Sequence, residues 1–128
     1  MNYIVDTHLL VWAAGEPWKL PAPARSILEA SENTLWVSVV SLWEIALKRS
    51  LNRPDFRAEV GPFRAGLLAN GYTELPINSR HILPLPALPF HHTDPFDRLL
   101  VAQAVAEGMT LLTADRTLAR YGAMVLAV

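Results

Sequence analysis

Four carboxylates, Asp6, Glu44, Asp97 and Asp115, are the side chains of this sequence whose type and placement could do chemistry. Brought together, they would repel one another and stay partly protonated unless a cation neutralised them. Mg²⁺ or Mn²⁺ does that with oxygen ligands and keeps several waters for a reaction. Such a site suits phosphodiester hydrolysis, because the ion activates a water and stabilises charge on the phosphate.

Each acid also has a structural reading. Ser41-x-x-Glu44 has the form of a capping box, with Glu44 bonding back to its own helix start. Asp94 suits an N-cap with Pro95 at the first helical position, and Asp97 at the third favours the helix dipole. Asp115 can cap a helix starting at Arg116. Asp6, followed by Thr7 and His8, has no capping need that strongly explains it.

The elements that must position these acids alternate between strand and helix. Tyr3-Ile4-Val5 is a short apolar run ending at Asp6, and predicts a buried strand followed by a helix over Thr7–Ala14. A short helix is expected over Pro23–Ser31, with Pro23 in its first turn. Leu35–Val40 predicts a second strand, with a helix from Ser41 to about Leu51. A further helix is expected over Arg57–Ala69, with an interruption possible at Gly61-Pro62, and a strand over Tyr72–Ile77. The Pro-rich stretch Asn78–His92 leaves room for one short helix before an irregular loop. Pro95–Glu107 is the best-delimited helix, closed by Gly108. Thr110–Thr113 reads as a strand, Arg116–Arg120 as a short helix and Met124–Val128 as a last strand.

This alternation implies a single three-layer α/β/α domain over residues 1–128 with a mainly parallel central sheet. Asp6, Glu44 and Asp115 then open on the carboxyl edge of the sheet, where α/β crevices lie. Asp97 reaches the same edge if the Pro-rich loop before it crosses the top of the sheet. Capping alone does not explain why all four acids share one edge.

Composition narrows the function classes. The chain has 128 residues and no cysteine, which excludes disulfides, Cys-type zinc sites and thiol chemistry. Eleven basic residues face 12 acidic ones, so net charge neither demands nor excludes nucleic acid. Only Lys19 and Lys48 are lysines; the rest of the basic set is arginine, the better fork for phosphate or carboxylate. No stretch is apolar enough for a membrane span, and Leu9–Ala14 is too short for a signal peptide, so the expectation is a cytoplasmic chain. Apolar content of 52% with Trp12, Trp18, Trp36 and Trp43 in the first third suggests a partner or second copy, although such residues are mostly core.

Several residues flank the acids. His91-His92 lacks a third ligand at zinc spacing, so loop packing or contact with a phosphodiester substrate is expected. His8 is expected to pack. Lys48 lies four residues after Glu44, the spacing of an ion pair on one helix face. Arg98 and Arg116 each follow a carboxylate directly and are candidates for a substrate phosphate or a partner carboxylate.

Ile4-Val5-Asp6-Thr7-His8, Ser38-Val39-Val40-Ser41-Leu42-Trp43-Glu44-Ile45-Ala46, the block His91 to Ala104 and Leu112-Thr113-Ala114-Asp115 occur in the order found in PIN-domain proteins. The chain resembles most closely the VapC-type toxins of toxin–antitoxin pairs, over essentially its whole length. The resemblance implies a PIN-like fold and a Mg²⁺- or Mn²⁺-dependent endoribonuclease, homodimeric and held inactive by a VapB-like antitoxin. It matches the family's acids to Asp6, Glu44, Asp97 and Asp115. Asp6, Asp97 and Asp115 are the expected metal ligands, and Glu44 completes the site or orients the attacking water. Thr7 and Thr113 match positions where the family often carries a hydroxyl, while Asp94 is an additional acid assigned to capping.

Two other classes compete. An aspartyl-phosphate receiver would need a lysine at the end of a late strand, and none lies beyond Lys48; a related phosphatase would want an acid where His8 stands. A non-enzymatic protein could use the acidic cleft only to receive a partner's arginine.

Overall fold

Strands buried on both faces must be apolar at successive positions, as Tyr3-Ile4-Val5 and Leu111-Leu112 are. In the computed structural model, which describes residues 1–128, β1 (Asn2–Val5) leads into α1 (Thr7–Gly15) and α2 (Ala22–Glu29). Next, β2 (Thr34–Ser38) is followed by α3 (Val39–Ser50) and α4 (Val60–Ala69), and β3 (Thr73–Leu75) by the one-turn α5 (Ser79–Ile82). The chain ends with α6 (Pro95–Glu107), β4 (Thr110–Thr113) and β5 (Val125–Ala127). Short 3₁₀ turns occupy Pro17–Lys19, Leu85–Ala87 and Arg116–Tyr121.

All five strands are parallel, in the order β3-β2-β1-β4-β5. Ile4 at the centre stands opposite Trp36 on one side and Leu111 on the other. Alternation along β1 divides the core. Tyr3 and Val5 pack with Leu9, Leu10, Ala24 and Leu67, whereas Ile4 packs with Val40, Leu100 and Leu118. Helices therefore cover both faces, as the sequence predicts for an α/β fold. The chain runs outward from β1 to β3, then returns to β4 on the far side of β1. Strand order reverses between β1 and β4, and the crevice of such sheets opens there.

Local chemistry fixes the helices that border this crevice. Asp94 Oδ1 accepts from the amides of Phe96 (2.8 Å) and Asp97 (3.4 Å), and Pro95 occupies the first helical position. Gly108, at φ +65°, ends α6 in a left-handed conformation. The start of α3 departs from expectation. Its cap is Ser38, whose Oγ accepts from the Val40 amide at 3.0 Å and donates to Gln103 Oε1 at 2.5 Å. Val39 and Val40 are thus helical rather than extended, and Glu44 lies in the second turn. The capping-box reading of Ser41 and Glu44 is corrected by that shift.

The helix expected from Arg57 begins only at Val60, because residues 51–59 form a loop held by the buried Phe56. Pro62 falls in the first turn of α4, where no intrahelical partner awaits its missing N–H, so nothing is interrupted. No helix of the chain is long and apolar enough to cross a membrane. The tryptophans divide: Trp12 and Trp36 pack against the two cores, while Trp18 and Trp43 are exposed.

Candidate active site

Asp6 follows β1 directly and is almost completely buried. Its Oδ1 accepts from the Leu9 amide at 2.9 Å, and its Oδ2 accepts from the Thr113 hydroxyl at the end of β4. Asp6 is therefore the N-cap of α1, a structural role the sequence did not reveal. Burial pushes its carboxyl above the ordinary value, against the hydrogen bonds from Thr113 and Leu9 and the nearby His8, with Glu44 adding to the rise.

Glu44 points from the second turn of α3 and is also buried. Thr7 Oγ1 lies 2.6 Å from Glu44 Oε1 and 2.9 Å from Ser41 Oγ, and Lys48 Nζ pairs with Glu44 Oε2. Ser41, expected as a cap, is instead a buried hydroxyl supporting Thr7. Lys48 makes the expected ion pair, so one lysine does adjoin the acids. Its ammonium also sits 4.8 Å from the centre of the Phe56 ring.

Asp97 occupies the first turn of α6 and is half-buried. Neither of its oxygens accepts a hydrogen bond; the His92 ring nitrogen is 3.6 Å away. Burial first, then the fields of Asp94, Glu44 and Asp6, push its carboxyl up to about 7, with His92 opposing. A partly buried carboxyl without a donor, surrounded by like charges, suits a hard cation better than water alone.

Asp115 follows β4. Its Oδ1 accepts from the Thr117 amide at 2.9 Å, so it caps the 3₁₀ turn, and its Oδ2 lies 2.9 Å from His92 Nε2. Burial raises its carboxyl, but the Thr117 amide and His92 together outweigh that and hold it below the ordinary range.

His92 enters the site unexpectedly. Its Nδ1 accepts the Asp94 amide at 3.0 Å, which assigns the proton of a neutral ring to Nε2. Nε2–H then donates to Asp115, so in this tautomer His92 is a donor rather than a metal ligand. His92, Asp97 and Asp115 each place one ligand-type atom within 4.8 Å of the others. Asp6 lies outside that trio, and its field and that of Glu44 reach Asp97. The signal that could have found His92 was the loop itself, since it had to cross the sheet for Asp97 to reach the edge.

Arg98 is not a substrate contact. It is buried, and its guanidinium donates to the carbonyls of Leu85, Leu88 and Pro89 and to the Tyr121 hydroxyl, with Phe90 3.9 Å from its carbon. It anchors the Pro-rich loop that carries His92. Arg116, by contrast, is exposed beside Asp115. A depression of ≈ 510 Å³ lies away from the acids between α1 and α4, lined by Ala13, Ala14, Phe63 and Leu67 among others. Size alone does not mark the chemistry here; the concentration of buried acids does.

The donor set suits a hard divalent cation: Asp97 and Asp115 bring carboxylate oxygens within 4.8 Å of each other, and Asp97 accepts no hydrogen bond. Comparison with known proteins adds a family. The sequence matches the family model described as the PIN domain over residues 3–124. Among curated proteins none matches. In structure the chain is similar to one in VapBC2 from Rickettsia felis, solved bound to a DNA fragment from their promoter. The TM-score is 0.72 at 18% identity, over 100% of this chain and 98% of that one. VapBC-1 from nontypeable Haemophilus influenzae gives 0.64 at 16% identity, covering 94% and 92%. A domain of a functionally unknown protein from Methanocaldococcus jannaschii DSM 2661 gives 0.61 at 15%, covering 99% and 90%. At these identities the likeness is one of fold.

Proposed function

This chain belongs to the PIN domain family, and from that premise we propose that it is a Mg²⁺- or Mn²⁺-dependent endoribonuclease, the toxin of a type II toxin–antitoxin pair. The observation that carries the reading is Asp97: a carboxyl pushed up to about 7 among other acids, with no hydrogen-bond donor to its oxygens. Asp6, Asp97 and Asp115 would hold the ion, Asp6 from outside the 4.8 Å cluster that Asp97 and Asp115 form with His92. When bound, it supplies an activated water and neutralises charge on the phosphate.

The chain's own residues prepare that site. Thr113 and the Leu9 amide fix the two oxygens of Asp6, and the Thr117 amide and His92 fix those of Asp115. Glu44, held by Thr7 and Lys48, sets the negative potential behind Asp97 and bears on the attacking water by position. Arg116, exposed at the edge, is placed to meet a phosphate of the substrate.

The partner proposed is a VapB-like antitoxin, and the chain acts as a homodimer in the cytoplasm. The VapBC structures of similar fold support the first, and apolar side chains on the surface support protein contacts in general. Trp43, Leu47 and Leu51 are exposed along one side of α3 at four-residue spacing.

The test is cleavage of single-stranded RNA by the purified chain with Mg²⁺, with Mn²⁺ and with EDTA. Cleavage should need the ion, and Asp97→Asn should lower it at least 100-fold, about 3 kcal/mol of transition-state stabilisation. An Asp97→Asn protein that cuts RNA at the unaltered rate would sink the proposal.

A further inference from the structure

The last turn of α3 and the loop that leads to α4 carry a concentration of guanidinium groups that the acidic site does not use. Arg49, Asn52, Arg53, Pro54, Phe56 and Arg57 line a depression of ≈ 430 Å³, and no carboxylate is among them. Arg53 and Arg57 are exposed and make no ion pair, although this chain pairs Lys19, Lys48, Arg64 and Arg80 with acids. Arg49 is tethered: its guanidinium donates to the Arg57 carbonyl and stands 3.6 Å from Glu59. Asp55, between the two free arginines in sequence, lines two neighbouring depressions, one with His8, Trp12 and Lys19 and the other with Glu16 and Arg57.

The backbone that shapes this pocket is well tied. The Arg53 amide donates to the Lys48 carbonyl and the Phe56 amide to the Arg53 carbonyl, each at 3.0 Å, after Asn52 turns the chain at φ +56°. Phe56 is buried at the pocket wall, and its ring lies under the Lys48 ammonium that pairs with Glu44. Phe56 and Lys48 thus connect the pocket wall to Glu44. On the same side His8 is exposed, its ring 5.5 Å from that of Phe56 and 6.1 Å from that of Trp12.

We infer that the Arg49–Arg53–Arg57 pocket is a phosphate subsite, holding the backbone of a single-stranded nucleic acid whose neighbouring segment crosses the acidic crevice. The inference rests on the nuclease reading for what lies in the crevice. Free planar guanidinium groups are forks for phosphate oxygens. A polyanion entering the acid crevice needs compensating positive charge next to it. Basic pockets beside exposed aromatic faces are how single strands are held without sequence readout, since bases stack on the rings. An acidic peptide would use the guanidinium groups but has no use for the exposed His8 face.

The test is binding of a fluorescein-labelled 12-nucleotide oligouridylate in EDTA, where no cleavage is needed, across a series of salt concentrations. Arg53→Gln/Arg57→Gln should weaken binding about tenfold and flatten the log–log salt slope by about 1.4, at ~0.7 for each phosphate no longer neutralised. Arg25→Gln/Arg64→Gln, with the same net charge and outside the pocket, should leave both unchanged. Equal losses in the two double variants, or oligouridylate binding untouched in the first, would overturn the subsite. So would weaker binding of a poly-glutamate peptide with oligouridylate binding intact. A chain that binds through the pocket yet never cuts RNA would refute the nuclease reading alone. One that cuts RNA through Asp97 while ignoring Arg53 and Arg57 would refute the pocket alone.

Discussion

Asp97 carries a conflict between folding and ion binding. With its carboxyl at about 7, well above its unfolded value, the protonated form is favoured in the folded chain. The sign follows: the group is stability-neutral below about pH 4, and without metal it costs stability as pH rises from there through 7. Asp97→Asn removes the charge and keeps the shape. In EDTA at pH 8 the variant should be more stable by about 1–2 kcal/mol, a Tm gain of several degrees, and the gain should shrink to less than half at pH 5. Calorimetry at the two pH values checks this. Asp97 was legible in the sequence because Asp94-Pro95 fixes where α6 begins. Arg98, the next residue, was not. One step along a helix turns the side chain by about 100°, so neighbours in sequence face different surroundings.

At the scale of elements, the loop before α6 depends on that turned-away side chain. Arg98 satisfies the carbonyls of Leu85, Leu88 and Pro89, which otherwise sit among prolines that donate nothing. Arg98→Ala should destabilise the chain by about 3 kcal/mol and release His92 from Asp115; Arg98→Lys should recover little, because a lysine cannot reproduce the fork. Chemical denaturation measures the first effect and the His92 ring resonances report the second. The elements themselves were largely readable: α6 from its Asp, Pro and Gly signals, the strands from their apolar runs. The start of α3 was not, since Val39-Val40 has strand character and either serine could cap. The choice belongs to Gln103, which lies 65 residues from Ser38 in sequence and bonds to it across the fold. His92 was hidden for the same reason: its partner Asp115 is 23 residues away, across the sheet edge.

For the whole molecule, the switch of strand order between β1 and β4 gathers acids from four separate segments at one edge, and each acid loses solvation there. A divalent ion that binds only the folded arrangement adds stability according to its concentration. Because the acids must be ionised to bind it, the effect should grow with pH. Mn²⁺ at about 100 times its dissociation constant should stabilise the chain by roughly 2.7 kcal/mol at pH 8, with a smaller shift at pH 6. Thermal scans across a Mn²⁺ series check this, and Asp97→Asn should blunt it. A Tm indifferent to Mn²⁺ at both pH values would remove the ion from the account.

The double duty of Asp6 has a consequence for how this chain can be inactivated by mutation. One of its oxygens closes the start of α1 while the other joins β1 to β4 through Thr113. Among random variants selected for loss of activity, Asp97 should yield many replacements that leave abundant, soluble protein. Asp6 should yield asparagine almost alone, because serine and threonine can cap but only asparagine both caps α1 and reaches Thr113. Other changes at Asp6 would register as missing protein rather than as silent enzyme, so the two positions should leave different marks in a survivor library.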